Sequence, residues 1–501
     1  MTVGDVLRAL SDDMPVAQTG TARALDRVCT GVTHDSRRVS PGSIFVALAG
    51  LRVDGLTFVP MAVAAGAGAV VSGVPTDLAL DIPSVVVPDA RAALARLAGA
   101  FFAHPSRELQ VIGITGTNGK TTTAYLVRAI LDAAGRNPGL MGTVAHHLGT
   151  RSFDATRTTP EAPELHAFMR EMVSAGCRAC VMEVSSHALA LRRVDGIRFA
   201  AGVFTNLTRD HLDFHQSMDD YFAAKRRLFE QLPDDAPAVI NVDDSRGALL
   251  VQRVRRPTTF AVQKDADVVP GPVSSSLDGL EFDVRLSRGT VHVRSKLVGR
   301  ANVYNILAAV ATTSALDVPL DAIEAGVAGL AGVPGRFEMV SSAHDDLTVI
   351  VDYAHTDEAL RHLLETARAI GSGRIITVFG AAGDRDRTKR PLMGMVAARL
   401  SDVVVVTSDN PRSEDPDRII DEVKRGAEPE ARQRGAVLMT EPDRRKAIAL
   451  VVALAQPGDL VLVAGKGHEK YQEVGTQRLS FDDVSVAREA LDARRLKTRA
   501  G

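Results

Sequence analysis

The residues with the most chemical content sit in one run, Leu109 to Asp132, reading LQVIGITGTNGKTTTAYLVRAILD. Gly116, Thr117, Asn118 and Gly119 are too small and turn-prone to continue the β-branched run before them. Lys120, Thr121 and Thr122 then open a helix, marked by apolar residues at Leu126, Val127, Ile130 and Leu131. Backbone N–H groups of such a turn can wrap a phosphate, and the helix N-terminus favours negative charge. Lys120 adds a cation, and the Thr121 hydroxyl can sit on Mg²⁺. The strict phosphate-loop pattern wants glycine where Ile114 stands; here the glycine is Gly116. GKTT at a strand–helix junction still predicts nucleotide binding.

Three further clusters can serve that loop. Glu183 to His187 reads EVSSH, Thr205 to Asp213 reads TNLTRDHLD, and Lys225 follows in an expected helix, Tyr221 to Gln231. Glu183 and His211 are ligand types for Mg²⁺ or Mn²⁺. A lone Glu at a strand end is more often a surface residue. Beside a phosphate loop the reading reverses, because ATP chemistry needs a metal whose second ligand comes from a neighbouring strand end. Lys225 by itself reads as a solvated helix lysine. Asn302 and Asn305 in GRANVYN are nucleotide contacts or helix-start residues. In THDSRRVSPG (Thr33 to Gly42), Ser36, Arg37 and Arg38 suit a phosphate or diphosphate as well as a solvated loop.

These groups need a scaffold, and 501 residues suggest about three domains. Lys plus Arg number 59 against 61 Asp plus Glu, which excludes a global basic field for nucleic acid. Trp is absent, so Ala, Val and Leu must pack the cores. Three cysteines argue for a reducing compartment and against a disulfide framework. Cys177 and Cys180 form C-x-x-C without a thioredoxin-like setting or two further ligands, and read as small buried residues. No N-terminal basic-then-apolar signal is present, and Met61 to Val74 is too short to span a bilayer. The expectation is a soluble, cytoplasmic monomer without membrane insertion.

Residues 1–104 form a first unit, with strands at Ser43 to Leu48 and Ser84 to Val87 and helices at Pro60 to Gly68 and Ala90 to Phe102. Residues 105–336 follow a βαβ rhythm, with strands at Val111 to Thr115, Ala179 to Val184, Ala201 to Phe204 and Ala238 to Val242. Short alternating strands fill 257–297, and Val333 to Arg336 reads as a linker. Residues 337–501 repeat the rhythm at Thr348 to Tyr353, Ile375 to Phe379, Val403 to Thr407 and Leu460 to Ala464. Their loops, DYAHT, GAAGDRDRTKR, SDNPRSEDP and AGKGHEKYQ, would share one sheet edge and receive a substrate. GKGHE lacks a Ser or Thr after its Lys and is not a second phosphate loop.

In series, DSRRVSPG, GTNGKTT, RTTPE, MEVSSHAL, FTNLTRDHLDFH, YFAAKRRLF, DYAHT, GDRDRTKRP, DNPRSEDP and GKGHE resemble the Mur ligase family of peptidoglycan synthesis over almost the whole chain. The resemblance implies an α/β fold in three domains: a UDP-substrate domain (1–104), a central P-loop ATPase-type parallel sheet (105–336) and a C-terminal Rossmann-like domain (337–501). It implies amide formation through an acyl phosphate. The expected substrates are UDP-N-acetylmuramoyl-L-alanyl-D-glutamate and meso-2,6-diaminopimelate. ATP would lie on Gly116 to Thr122 and Asn302. Thr121, Glu183, His211 and a carbamylated Lys225, formed with CO₂, would hold Mg²⁺. Catalysis would fall to Lys120, Glu183, His211 and Lys225. The UDP substrate would touch Ser36, Arg157, Thr158, Thr159, Ser185, Leu191 and Arg193. The amino acid would meet Arg385, Asp409, Asn410, Pro411, Arg412, Gly465 and Glu469. Two positions depart from the family: Leu191 stands for Gln and Arg157 for Asn.

Phosphorylating a carboxylate makes phosphate the leaving group, but two anions must meet, so cations must surround them. If Lys225 is desolvated, its neutral amine can take up CO₂ and become an anionic ligand. The amine's base stays open among His211, His355 and solvent. Arg412 can pair with the distal carboxylate of diaminopimelate and Glu469 with its ammonium, whereas lysine offers Arg412 nothing. Alternatives are a lysine-adding ligase, disfavoured by DNPR; a folylpolyglutamate synthetase, disfavoured by DSRRVSPG; and a non-catalytic ATP-binding scaffold, disfavoured by the intact set Lys120, Glu183, His211 and Lys225.

Overall fold

The computed structural model describes residues 1–10, 17–19, 22–50, 53–76, 78, 80–342 and 344–500. The chain is α/β and builds three successive sheets of five, eight and six strands, plus a small antiparallel sheet and a hairpin.

The first sheet runs in the order Ala17–Thr19, Ser84–Val86, Ala69–Ser72, Ile44–Ala47, Val32–Thr33. Its last four strands are parallel. Ile44–Ala47 is buried throughout, because Ala90–Phe101 covers one face and Val59–Ala64 the other. A strand covered on both faces reads as an unbroken apolar run. The Ala/Gly-rich stretch Met61 to Val74 holds the end of the expected helix and, beyond it, the strand Ala69–Ser72.

In the central sheet, six parallel strands run Pro257–Phe260, Ala238–Asn241, Phe199–Phe204, Gln110–Thr115, Ala179–Glu183, Pro138–Met141. An antiparallel hairpin, Ala145–Leu148 and Arg151–Asp154, extends one edge. From Gln110–Thr115 the chain first builds to one side and later to the other. The carboxyl end of that strand is therefore the switch point, where α/β sheets open a crevice. Lys120–Ala133, Arg300–Ala315 and Leu320–Gly329 cover one face, and Ala162–Ser174 and Met218–Glu230 the other. Within 257–297 the expected short strands form. Gly279–Leu286 alternates, with Leu280, Phe282 and Val284 on the core and its other side in water.

The last sheet runs Glu338–Met339, Thr348–Asp352, Leu460–Ala464, Ile375–Phe379, Val403–Val406, Val437–Thr440, all parallel except the first. All four polar loops therefore leave the same edge. The hairpin Tyr471–Val474 and Gln477–Ser480 follows the fourth loop. The C-terminal helix Asp483–Ala500 is pinned by Asp483, whose carboxylate takes two bonds from fully buried Arg444 at 2.7 and 2.8 Å.

The expected linker Val333 to Arg336 is not a free tether. Val333 is buried in the central core, and Arg336 lies over the Tyr353 ring at 4.4 Å. Apolar and cationic side chains in that stretch both found partners, so it is packed between the second and third sheets. Among the described residues no helix is long and apolar enough to cross a membrane.

Candidate functional site

Gly116 and Gly119 carry positive φ, +153° and +83°. A Cβ at Gly116 would stand 1.8 Å from Thr205 Oγ1, and one at Gly119 2.4 Å from Asn305 Oδ1. The turn is thus compressed between two neighbouring elements, which is why glycine holds both places. The TNLT segment clamps it: Thr117 N donates to Asn206 O at 2.9 Å, Asn118 N to Asn206 Oδ1 at 2.9 Å, and Thr205 Oγ1 to Asn118 O at 2.7 Å. Thr117 Oγ1 is also 3.1 Å from Tyr221 Oη. Thr121 and Thr122 are buried in the first helical turn. Asn302 donates to Val298 O at 2.7 Å and accepts from Asn305 at 2.9 Å, so it fixes Asn305 beside Gly119. Next to this loop a cavity of about 880 Å³ is lined by Asn118, Gly119, Thr208, Asn241, Tyr304 and Asn305 among others. Asp243 also lines it and has one buried carboxylate oxygen, Oδ1, with no partner.

Two lysines meet at one carbonyl. Lys120 donates to Gly116 O at 2.9 Å and Thr117 O at 2.8 Å, and Lys225 donates to the same Gly116 O at 2.7 Å. Burial pushes the Lys120 ammonium below its ordinary pKa, opposed by Glu183 and Asp210. Lys225 is 1% exposed and lies 4.5 Å over the Tyr221 ring. Burial, then the charge of Lys120, drives its pKa well below the usual lysine range. It is not a solvated helix lysine: it shares the inward face of Met218–Glu230 with Tyr221 and Leu228.

Glu183 is 1% exposed. Its Oε2 accepts from Thr121 Oγ1 at 2.9 Å and Thr143 Oγ1 at 3.0 Å, and its Oε1 from Thr143 N at 2.7 Å. His211 sits at φ +56°, held by Asp210, whose Oδ1 accepts His211 N at 2.8 Å. Its ring packs edge-on to His187 at 4.9 Å. Burial lowers its pKa to about 3, so the imidazole is neutral near pH 7. Among the described residues no three His, Cys, Asp or Glu side chains stand close enough to hold a metal by themselves. A cation here needs hydroxyl, modified-lysine or substrate oxygens as well. The oxygen pair Thr121–Glu183 fits Mg²⁺ in donor type.

A second cavity, about 640 Å³, lies between the central and last sheets. Thr158, Asp210 and His211 face it from one side; Arg385, Asp409, Asn410, Arg412, Gly465 and Glu469 from the other. Asn410 donates to Glu469 Oε2 at 2.8 Å and accepts from Lys466 Nζ at 3.0 Å and Glu473 N at 2.9 Å. Lys466 also pairs with Glu469 at 3.1 Å. Burial raises the Glu469 pKa, with Lys466 opposing. Gly465, φ +115°, would place a Cβ 2.7 Å from Asp409 Oδ2. Pro411 O closes on Gly383 at a distance no Cβ would tolerate. Arg412 donates to Glu473 Oε2 and Gly383 O, at 2.8 and 2.7 Å. Arg385 is exposed at the rim and donates to Asp384 O.

Of the remaining expected contacts, Arg157 reaches this cleft with Thr158, and the others lie away from it. Ser36 sits in a short turn capped by Asp35, and the adjoining Arg38 pairs with Glu164 at 2.5 Å, joining the first unit to the central one. Arg157 and Arg193 both hold Glu161 Oε1 at 2.7 Å, leaving one net positive charge. Thr158 Oγ1 lies 3.1 Å from Thr143 Oγ1. Thr159 is 1% exposed, and its hydroxyl donates to Glu183 O at 2.8 Å and accepts from Ser185 N. It braces the Glu183–Ser185 turn. Ser185 caps Ser186–Ala190 through Ala188 N, and Leu191 ends that helix. Ser36, Ser185, Leu191 and Arg193 line neither cavity. Sequence reasoning missed Arg336, whose Nη2 reaches Thr121 Oγ1 at 3.3 Å, and Lys389, Tyr471 and Arg478 on the cleft wall. An arginine in an apparent linker and aromatics after a loop carried no periodic signal.

Family models match three stretches: "Mur ligase family, catalytic domain" over residues 28–102, "Mur ligase middle domain" over 114–313 and "Mur ligase, glutamate ligase domain" over 335–467. The chain is 47% identical over 483 residues to a UDP-N-acetylmuramoyl-L-alanyl-D-glutamate--2,6-diaminopimelate ligase of Gloeobacter violaceus, covering 96% of this chain and 98% of that one. It is 45% identical to the protein of the same name in Solibacter usitatus, covering 98% of each. A solved UDP-N-acetylmuramoyl-L-alanyl-D-glutamate--2,6-diaminopimelate ligase is 34% identical with a TM-score of 0.67, over 94% of this chain and 96% of that one. A UDP-N-acetylmuramoylalanyl-D-glutamyl-2,6-diaminopimelate--D-alanyl-D-alanyl ligase from Acinetobacter baumannii, at 19% identity and a TM-score of 0.63 over 99% and 98%, shares the fold. With Asp210 and His211, from the loop beside the phosphate-type turn, facing four C-terminal loops across one cleft, and these matches spanning nearly its whole length, the chain belongs to the Mur ligase family.

Proposed function

We propose that the chain is an ATP-dependent, ADP-forming ligase that joins meso-2,6-diaminopimelate to UDP-N-acetylmuramoyl-L-alanyl-D-glutamate in peptidoglycan synthesis. The observation that carries this reading is the shared 640 Å³ cleft: groups beside the phosphate loop and groups from all four C-terminal loops face one space. The three working units are 1–104 for the UDP end, 105–336 for ATP and 337–501 for the amino acid.

ATP fits the loop at Gly116 to Thr122, with the nucleoside in the adjoining 880 Å³ cavity where Asp243 Oδ1 lacks a partner. Thr121, Glu183, His211 and carbamylated Lys225 would hold Mg²⁺, which would screen the repulsion between the substrate carboxylate and the triphosphate. Lys120 supplies a cation from the first turn of a helix whose N-terminus already favours anions. Thr143 and Thr159 fix Glu183 in place. The burial that destabilises the Lys225 ammonium leaves an amine able to take up CO₂. Neutral His211 has a ring nitrogen free to accept a proton or donate a lone pair. His355, also depressed by burial, faces the same cleft and is the second candidate to take the proton of the attacking amine. Arg157 and Arg193, with one net positive charge between them, suit the anionic part of the UDP-linked substrate. Leu191 makes no polar contact with it.

Phosphate release tests the reading. With ATP, magnesium and the UDP-linked dipeptide, phosphate should appear only when diaminopimelate is added. Equal kcat/KM for L-lysine would instead identify the lysine-adding ligase, and nucleotide binding without acceptor-dependent release would identify a scaffold.

A further inference from the structure

We propose that Glu473 orients the Arg412 guanidinium and so sets the preference for the incoming amino acid, an inference that rests on the reading of the cleft as a diaminopimelate site. Arg412 has a left-handed backbone, φ +52°, held by the hairpin beside it. Arg412 N donates to Glu473 O at 3.0 Å, and Gly475 N to Arg412 O at 2.8 Å. Gln472 Nε2 donates to Asp409 O at 2.7 Å, and Glu473 N to Asn410 Oδ1 at 2.9 Å. These bonds register the hairpin against the DNPR loop and bring the Glu473 carboxylate to the edge of the guanidinium.

There Glu473 Oε2 accepts Arg412 Nε–H at 2.8 Å, while Gly383 O accepts from Nη1 at 2.7 Å on the other side. A planar guanidinium fixed at two nitrogens cannot swing. Among the described residues Nη2 makes no hydrogen bond, and Arg412 lines the cleft. The fork therefore presents its Nη end, already aimed, to a carboxylate. Recognition by such a fork is geometric as well as electrostatic. Fixing it beforehand removes an ordering cost from binding. An amino acid with a distal carboxylate gains from this; one with only a distal ammonium meets an oriented like charge.

The Glu473 side chain is 35% exposed and belongs to no apolar core, so its truncation leaves the four backbone-anchored bonds in place. The test is steady-state kinetics of the full-length protein for diaminopimelate, L-lysine and ATP. Glu473→Ala should raise KM for diaminopimelate about ten-fold and lower the diaminopimelate-to-lysine ratio of kcat/KM by the same factor. Its kcat and its KM for ATP should stay at wild-type values. E473Q keeps an acceptor for Nε–H and should rise only about three-fold. An unchanged KM and ratio in E473A overturns the inference, as does an equal rise in KM for ATP, which marks general loosening. If E473A fails to fold, E473Q decides by the same criterion. Wild-type protein that releases no phosphate with diaminopimelate overturns the functional reading itself; active wild type with unaltered variants overturns only this step.

Discussion

Lys225 shows how much one side chain depends on its surroundings. On a helix diagram it is one cation among several, yet it is enclosed, shares the Gly116 carbonyl with Lys120 and lies over the Tyr221 ring. Two ammonium groups on one oxygen are costly, and conversion of one to an anion removes the conflict. Lys225→Ala should cut kcat by on the order of 100-fold, and added formate or acetate should restore part of it by standing in for the carbamate. Lys225→Ala that keeps wild-type turnover would end the proposed role. The sequence held a signal for this burial: Tyr221, Lys225 and Leu228 fall on one helix face, so a lysine interrupts an apolar stripe. Thr159 carried no such signal. Its neighbour Thr158 reaches the cleft and it does not, because this bend turns the Thr159 hydroxyl onto Glu183 O.

At the scale of elements, many strands covered on both faces were readable from their composition alone. Gln110–Thr115, Ala179–Glu183, Ile375–Phe379 and Leu460–Ala464 all stand within a residue of where apolar runs place them. The strands that sequence reading missed include two buried throughout, Ala69–Ser72 and Pro138–Met141, and others that are wet on one or both faces. Val437–Thr440 has no fully buried residue, and Gln477–Ser480 is exposed throughout. Their positions come from pairing with a neighbour, which a local pattern does not encode. The C-terminal helix is similar: its place is fixed by Asp483 pairing with Arg444, which also donates to Ala464 O at the root of the GKGHE loop. Both partners are fully buried, so Arg444→Ala leaves a carboxylate with no counter-charge. The expected loss is about 3–5 kcal/mol, seen as a large drop in the urea midpoint. A shift within error would show that the pair is dispensable.

Across the whole molecule, acid should be the destabilising direction. Burial holds His147, His166 and His187 at about 4 and His211 and His468 at about 3, against 6.5 for free imidazole. Between those values the unfolded chain binds protons that the folded one refuses. Their contribution is therefore complete above pH 6.5 and is lost as pH falls towards 4 and below. Asp35 and Glu414, held at about 2 by Arg37 and Arg390, add a loss of the same sign at still lower pH. Asp352 and Glu469, raised by burial, oppose it. Urea midpoints measured from pH 7.5 to 4.5 should fall steadily; a flat profile would show that these imidazoles are hydrated in solution.

The packed stretch around Gly335 and Arg336 has a mechanical meaning. A Cβ on Gly335 would stand 2.1 Å from His468 N, so this backbone is wedged against the GKGHE loop while the next residue's guanidinium touches the Thr121 hydroxyl. One short stretch thus ties the first turn of the helix after the phosphate-type loop to the root of the GKGHE loop, so a change at Gly335 acts on both at once.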